Sequence, residues 1–322
     1  MWGPLARILD VAAAYAGARR YGRFFGQTSE ADYKRSLYDE LRRRLEYEAR
    51  LSAPPDGQMQ RPTAPRGRRM PPTYTHTIEI DRGGETVETT CNCYARGYHG
   101  RLLIVYHHGL GEIPNELSFR RLLLRDRGPK IPADLICYHV TGHRRPRDVG
   151  RMLSTLGGFG TLLGDGMMAV RAIARAYRRQ YDRIVYMGAS LGGMVGIMEA
   201  ALSASFDLNV AMIAHLDLVH CITETSFRRM IDAGFLANCP LDLIRIGVES
   251  DRFAAAAQRQ IVMINGLHDD YFRIELARAL WSRFGRIGHY EIPHGHVSAC
   301  VATRAVKGAL LTALRDRGII RV

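Results

Sequence analysis

The chain contains 322 residues, of which 47% are hydrophobic, and it carries a formal net charge of +13 at pH 7. A chain of this length can bury one large core, with or without an appendage. No apolar run reaches the roughly 18 residues that span a bilayer, and the apolar fraction is too high for a disordered chain. These figures exclude a transmembrane protein and a disordered one.

The positive charge alone would suggest nucleic acid as a partner, since a basic surface attracts polyanions. Among the 45 cationic residues, however, only Lys34, Lys130 and Lys307 are lysines, and the arginines are spread along the whole chain. This spread indicates a compositional preference for arginine and predicts no nucleic-acid partner. Residues 1–72 hold 14 cationic and 8 anionic residues. Nearly half of the excess charge thus lies on this leader, which we expect to be remote from the functional site in the rest of the chain.

The six cysteines do not have the spacing of a disulfide scaffold, a zinc ribbon or a C-x-x-C redox motif. We therefore expect a reducing, cytoplasmic environment.

Residues 1–52 are predicted to form an N-terminal helical extension. Apolar residues recur at helical spacing in the first helix, namely Leu5, Ile8, Leu9, Ala12 and Tyr15/Ala16. A second helix begins at Ser29, which has an acidic residue three positions later. We expect these helices to pack on the main domain. The alternative is peripheral membrane contact through residues 1–25, where Arg19, Arg20 and Arg23 follow the apolar stretch. Residues 53–72 hold six of the thirteen prolines and are predicted to be a linker or an extended wrap.

From residue 73 onward, predicted strands alternate with predicted helices. The strands are Thr73–Ile80, Thr86–Ala95, Leu102–Tyr106, Asp134–His139, Arg183–Met187, Asn209–His215, Gln260–Asn265 and His289–Ile292. Continuous apolar strands are typical of a sheet that is covered on both faces. The pattern predicts an α/β fold over 73–322, with a mostly parallel central sheet and helices on both faces. Residues 216–259 are long enough for a small helical cap insertion, and 157–160 are expected to form a flexible loop.

The segment Gly188-Ala189-Ser190-Leu191-Gly192 lies where a buried strand is predicted to turn into a helix. G-x-S-x-G is a weak pattern alone, but in this context it is typical of a nucleophile held on a strained turn. Gly188 and Gly192 lack side chains, which lets the backbone pass closely. Ser190 is therefore the candidate nucleophile.

A serine nucleophile needs a base and an acid, which follow it in the chain order Ser, acid, His. The histidine favoured as base is His296, which follows the last predicted strand; His294 is its rival. The acid favoured to orient the imidazole is Asp269, with Asp270 and Asp217 as the alternatives.

An oxyanion hole needs backbone N–H groups that face the developing charge. Leu191, directly after the nucleophile, is expected to supply one. The loop His107-His108-Gly109-Leu110-Gly111 has the H-G-x-G arrangement, and Leu110 is expected to supply the other. His108 and Gly109 are predicted to support this loop rather than to act as acid or base.

Four motifs occur in this order along the chain: H-G-x-G, G-x-S-x-G, G-x-x-D and G-H. In this combination the chain resembles the α/β-hydrolase superfamily over about residues 73–322. The resemblance implies a serine esterase or lipase-like enzyme that uses no metal and no other cofactor. Two departures leave the subfamily unassigned. Thr141-Gly142-His143-Arg144-Arg145 stands where many members have G-H-G-x-S, and residues 1–72 have no counterpart in a minimal member.

The resulting prediction is a serine hydrolase that cleaves a small or medium carboxylic ester, or a related acyl bond, through an acyl-enzyme on Ser190. Phe227, Met230, Phe235 and Leu236 are candidates for an apolar acyl pocket. The alternatives are an acyltransferase that uses the same acyl-serine, and a non-catalytic binding or scaffold protein at a membrane surface.

Overall fold

Strands and helices alternate from β2 onward in the computed structural model. The structure describes residues 2–28, 48–51, 72–110, 119–124, 131–138, 146–203, 205–244, 260–285 and 288–320, together with positions 37, 41 and 43. Most of the second predicted helix, nearly all of the proline-rich segment 53–72, Gly111 and Thr141–Arg145 lie outside the described residues.

The described strands form a single sheet. The strands are β1 (Ala49–Leu51), β2 (Tyr74–Asp81), β3 (Thr86–Tyr94), β4 (Gly100–His107), β5 (Asp134–Tyr138), β6 (Tyr181–Ala189), β7 (Leu208–Met212), β8 (Ile261–Gly266) and β9 (His289–Ile292). Their order across the sheet is β1-β2-β3-β5-β4-β6-β7-β8-β9. Pairing is antiparallel from β1 to β5 and parallel from β5 to β9. The predicted mostly parallel sheet is confirmed.

Helices cover both faces of this sheet. They are α1 (Trp2–Tyr21), α2 (Pro146–Leu153), α3 (Leu156–Tyr177), α4 (Leu191–Leu202), α5 (Leu218–Glu224), α6 (Ala233–Asn238), α7 (Ile274–Arg283), α8 (His296–Val301) and α9 (Thr303–Asp316). Short 3-10 turns at Ser226–Met230 and Leu241–Ile244, and a π-helical turn at Arg120–Leu124, complete the set. The described part of the predicted cap, residues 216–244, is therefore helical.

The alternation of side chains along the central strands creates two separate cores. On β4, Leu103 and Val105 join the core beneath α3 and α4, whereas Ile104 and Tyr106 face the core beneath α9. All four side chains are fully buried. Burial on both faces explains why the central strands have continuous apolar runs.

The N-terminal helix packs on the main domain, but through a different face from the predicted one. Ala6, Asp10 and Ala14 are fully buried, whereas Leu5 and Ile8 of the predicted stripe are 47% and 63% exposed. Small side chains let this helix approach the domain closely, as Gly17 does against Met230. The apolar stripe was therefore wrongly assigned as the packing face.

Two further expectations need correction. Residues 157–160 are not a flexible loop but lie in the first turns of α3, where the hydroxyl of Thr155 caps the helix through the N–H of Gly158. The leader is not separate from the sheet, since Ala49–Leu51 pairs with β2. Within the described residues, no helix is long and apolar enough to cross a membrane.

Candidate active site

The sheet brings the predicted site residues to one edge, because the carboxyl ends of parallel strands lie on the same side. Gly109 and Leu110 follow β4, Ser190 follows β6, Asp269 follows β8 and His296 follows β9. Four loops that are distant in sequence thus converge at this edge.

Ser190 occupies a sharp turn between β6 and α4. Its φ and ψ are 54° and −115°, a conformation that costs a non-glycine residue about 1–3 kcal/mol. A Cβ atom on Gly188 would clash with the carbonyl of Gly192, and one on Gly192 would clash with the carbonyl of His107. The two glycines of G-x-S-x-G are therefore required by close backbone approach.

The side chains of Ser190, His296 and Asp269 form a continuous hydrogen-bonded series. His296 Nε2 lies 3.0 Å from Ser190 Oγ, and His296 Nδ1 lies 3.0 Å from Asp269 Oδ2. Since a carboxylate only accepts, Nδ1 carries the proton and donates it to Asp269, which leaves Nε2 free to accept from the serine hydroxyl. The other carboxylate oxygen of Asp269 accepts the backbone N–H groups of Tyr271 (2.9 Å) and Phe272 (2.8 Å).

The surroundings of His296 favour its charged form. Burial is the largest influence and acts to lower the imidazole pKa, but the charge and hydrogen bond of Asp269 and the charge of Asp10 oppose it. The net result is a pKa above the ordinary histidine value. The rings of Tyr271 and Phe272 flank the imidazole, with centroids 4.8 and 5.4 Å away, and restrict its orientation.

The alternative acids and base contact other groups. Asp270 Oδ2 accepts the N–H of Ser226 at 2.9 Å, and Asp217 Oδ1 accepts the N–H of His220 at 2.9 Å at the start of α5. The backbone carbonyl of His294 accepts from the N–H of His268, and the hydrogen bond to Ser190 comes from His296. Among the candidate acids and bases, the hydrogen-bonded series that includes Ser190 therefore contains His296 and Asp269.

The loop after β4 lies against the serine. Gly109 approaches so closely that a Cβ there would be 3.1 Å from the Cβ of Ser190, and Leu110 lines the same cavity as Ser190. Nδ1 of His108 donates to the carbonyl of Gly109 at 2.7 Å, and both His107 and His108 are fully buried. Leu191 is the first residue of α4, so its N–H has no acceptor within the helix. The two predicted oxyanion donors thus border the serine.

Sequence reasoning missed Asp10. This residue of α1 is fully buried, and its Oδ2 accepts the N–H groups of His296 (3.0 Å) and Asp270 (3.1 Å). Its Oδ1 accepts the N–H of Val297 at 2.9 Å. The available signal was a single carboxylate within a largely apolar helix. The leader is therefore not remote from the site.

A cavity of about 430 Å³ opens beside Ser190. Phe227 and Met230 line it, as do residues of α1 such as Ala13 and Gly17. Phe235 and Leu236, predicted as pocket residues, are not among its lining residues. Phe235 instead packs against Phe25, with ring centroids 4.9 Å apart, and Leu236 packs against the same core.

The strand order together with the strained serine turn defines the architecture. The described chain has the α/β-hydrolase fold. Among the described residues, no cluster of three or more His, Cys, Asp or Glu side chains is arranged to hold a metal ion.

No family model and no curated protein matches the sequence. Similar solved structures include Est1E from Butyrivibrio proteoclasticus, at 14% identity over 74% of this chain and 99% of that one, with a TM-score of 0.47. The Pyrococcus furiosus esterase Pf2001 is 14% identical over 76% of this chain and 92% of that one, with a TM-score of 0.49. The Pyrococcus horikoshii acylaminoacyl peptidase is 11% identical over 70% of this chain but 38% of its own length, with a TM-score of 0.47. Likeness at this level transfers neither an activity nor a substrate to this chain.

Proposed function

We propose that the protein is a serine hydrolase that cleaves a carboxylic ester or a related acyl bond. The observation that carries this proposal is the series from Ser190 Oγ through His296 to Asp269, with both links at 3.0 Å, at the edge of an apolar cavity. A nucleophile, a base and an orienting acid in hydrogen-bond contact are the arrangement that activates a serine.

In the proposed reaction, Ser190 Oγ attacks the carbonyl carbon of the substrate and His296 Nε2 takes the hydroxyl proton. The tetrahedral oxyanion is stabilised by the N–H groups of Leu110 and Leu191. The intermediate collapses, the bond to the leaving group breaks, and the imidazolium returns its proton to the departing oxygen. Water then attacks the acyl-enzyme with His296 again as base, which releases the acid and restores Ser190. Asp269 accepts the hydrogen bond from His296 Nδ1 throughout and stabilises the imidazolium without taking its proton.

The cavity supports an apolar acyl group as the substrate class. Its walls include Phe24, Phe159, Met194, Phe227 and Met230, which offer hydrophobic area and few polar partners. A substrate with an aliphatic acyl chain would bury that chain here while its carbonyl faces Ser190.

Labelling with a fluorophosphonate probe tests the proposal, because such probes react with an activated serine. We expect the wild type to be labelled and Ser190→Ala to remain unlabelled. We also expect the wild type to hydrolyse nitrophenyl esters, tested as a series of increasing acyl chain length. Well-folded wild-type protein without Ser190-dependent labelling would refute the proposal. Product analysis with added alcohol distinguishes hydrolysis from acyl transfer, since a transferase would form a new ester. Absence of both activities would favour the scaffold alternative.

We further propose that the protein acts at an anionic membrane surface. The exposed large apolar side chains in the described residues lie on or beside α1: Leu5, Ile8, Leu9, Tyr15, Leu267 and Val301. Leu267 precedes His268, which contacts Gly3, and Val301 borders the cavity together with Ala16 and Arg20. Arg19 and Arg20, both exposed, extend the same side of α1. An exposed apolar stripe with adjoining arginines is the pattern of an interfacial helix, and co-sedimentation with anionic vesicles tests it.

All six cysteines are free thiols, which supports the expected cytoplasmic location.

A further inference from the structure

Besides lining the cavity, the N-terminal helix α1 contacts the loops that carry Asp269 and His296 through one residue, Asp10. Asp10 lies in the middle of α1 and is fully buried, a costly position for a carboxylate unless donors surround it. Four hydrogen bonds connect this residue to the site. Three backbone N–H groups donate to its side chain, and the hydroxyl of Tyr271 donates to its backbone carbonyl at 2.6 Å.

These contacts join two separate loops. The acid loop, residues 269–272, carries Asp269 and contacts Asp10 through the N–H of Asp270 and the hydroxyl of Tyr271. The histidine loop, residues 294–297, carries His296 and contacts Asp10 through the N–H groups of His296 and Val297. A single oxygen, Oδ2, accepts from both loops, at 3.1 Å from the N–H nitrogen of Asp270 and 3.0 Å from that of His296.

The sequence of the histidine loop is adapted to this contact. A Cβ atom on Gly295 would lie 2.9 Å from both Ala6 Cβ and Asp10 Oδ2, so a larger residue would push α1 away. The φ of Gly295 is −92°, which any residue can adopt. Glycine is therefore needed for the approach of α1 and not for the backbone conformation.

We propose that Asp10 is a positioning residue that holds the acid loop and the histidine loop in register, so that α1 belongs to the catalytic apparatus. This inference rests on the proposed serine-hydrolase function. Asp10 does not line the cavity, and it acts through the backbone of His296. Its loss should therefore impair the chemical step and leave substrate binding nearly unchanged.

The Asp10→Asn variant tests this inference with little change in size. The amide has one acceptor oxygen in place of two, so at least one of the three N–H groups loses its partner. We expect kcat to fall about 10-fold in Asp10→Asn and about 100-fold in Asp10→Ala, since small displacements of a catalytic group have effects of this order. KM should change less than about threefold, because the binding contacts remain.

A second readout follows His296 directly by NMR, with its imidazole signal assigned through His296→Gln. The titratable groups around this imidazole are Asp269, Asp10, His215 and Tyr271. Because the charge of Asp10 raises the pKa of His296, that pKa should fall in Asp10→Asn. This measurement does not depend on turnover, so it stays informative if the esterase test fails.

Asp232→Asn serves as the matched control. Asp232 also accepts two backbone N–H groups at a helix start, those of Gly234 (2.9 Å) and Phe235 (3.2 Å), but it contacts neither loop of the site. Because asparagine can still cap this helix, the variant should retain wild-type stability and wild-type kcat. The inference would be overturned if Asp10→Asn kept kcat within about twofold of wild type and left the titration of His296 unchanged. Loss of Ser190-dependent labelling in the wild type itself would instead refute the proposed function.

Discussion

Ser190 holds a strained backbone conformation, and the carboxylate behind its base is surrounded by backbone donors. Asp269 has a fully buried side chain, yet three N–H groups face its two oxygens, those of Tyr271, Phe272 and His296 Nδ1. Such donors fix the direction of the carboxylate. At the residue scale, the site therefore consists of groups whose orientations are set before any substrate arrives.

Replacement of Asp269 by asparagine tests which acid serves the imidazole. The variant keeps the side-chain volume but loses the charge that holds the proton on Nδ1, so kcat should fall by on the order of 10³–10⁴-fold. Asp217→Asn is the control, because asparagine can still cap α5 through the N–H of His220. Steady-state kinetics on a nitrophenyl ester distinguishes the two variants. Equal losses in both, or a loss confined to Asp217→Asn, would contradict the assignment of Asp269.

The raised pKa of His296 predicts the pH dependence of the reaction. Below this pKa the imidazole carries two protons and cannot accept one from Ser190, so kcat/KM should rise with pH through it. The ordinary histidine value is about 6.5, and the charges of Asp269 and Asp10 shift the midpoint above that. A pH profile of kcat/KM measures the midpoint of the free enzyme. A midpoint at or below the ordinary value would show that burial, which acts in the opposite direction, prevails.

At the scale of elements, the turn between β6 and α4 depends on glycines that contact backbone atoms. Gly188→Ala would direct a methyl group at the carbonyl of Gly192 in α4, and Gly192→Ala would direct one at the carbonyl of His107 at the end of β4. We expect each to lower the free energy of unfolding by about 2–3 kcal/mol or more. Gly308→Ala is the matched control, since its exposed helical position has no atom within 4 Å of the new methyl group. It should raise stability by about 0.5–1 kcal/mol.

Urea unfolding of the three variants measures these changes. We expect the free energy of unfolding to fall in Gly188→Ala and Gly192→Ala and to rise in Gly308→Ala. This difference would show that close backbone approach, and not the loss of glycine itself, destabilises the first two variants. Unfolding of Gly188→Ala at the same urea concentration as the wild type would contradict the requirement for glycine at this position.

Elements with strong local signals were predictable from the sequence, whereas the docking of α1 was not. The last strand was predicted with its observed bounds, His289–Ile292, because Gly288 and Pro293 delimit it on either side. For α1, apolar residues surround most of the helix, so periodicity could not distinguish its buried face. The buried face holds Ala6, Asp10 and Ala14, and it is determined by the two distant loops that donate to Asp10. Such long-range partners leave no local pattern.

At the scale of the whole molecule, a group of arginines and the exposed apolar side chains meet at α1. Arg19, Arg20 and Arg23 are all exposed near its end, and each basic residue near an anionic bilayer contributes about 1 kcal/mol of attraction. The same helix borders the cavity through Ala16 and Arg20. If α1 binds a membrane as proposed, these two residues place the cavity close to the bilayer surface.

Sedimentation with vesicles of phosphatidylcholine containing roughly 30% phosphatidylserine tests this arrangement. We expect binding that weakens as salt screens the arginines and little binding to phosphatidylcholine alone. The double variant Leu5→Asp/Ile8→Asp should lose binding but keep its activity on a water-soluble ester, because neither residue lines the cavity. The double variant Gly308→Asp/Thr312→Asp makes the same charge change on exposed positions of α9, on the opposite face of the sheet, and should bind as the wild type does. If both double variants lost vesicle binding to the same extent, charge alone, and not the apolar stripe of α1, would govern the contact.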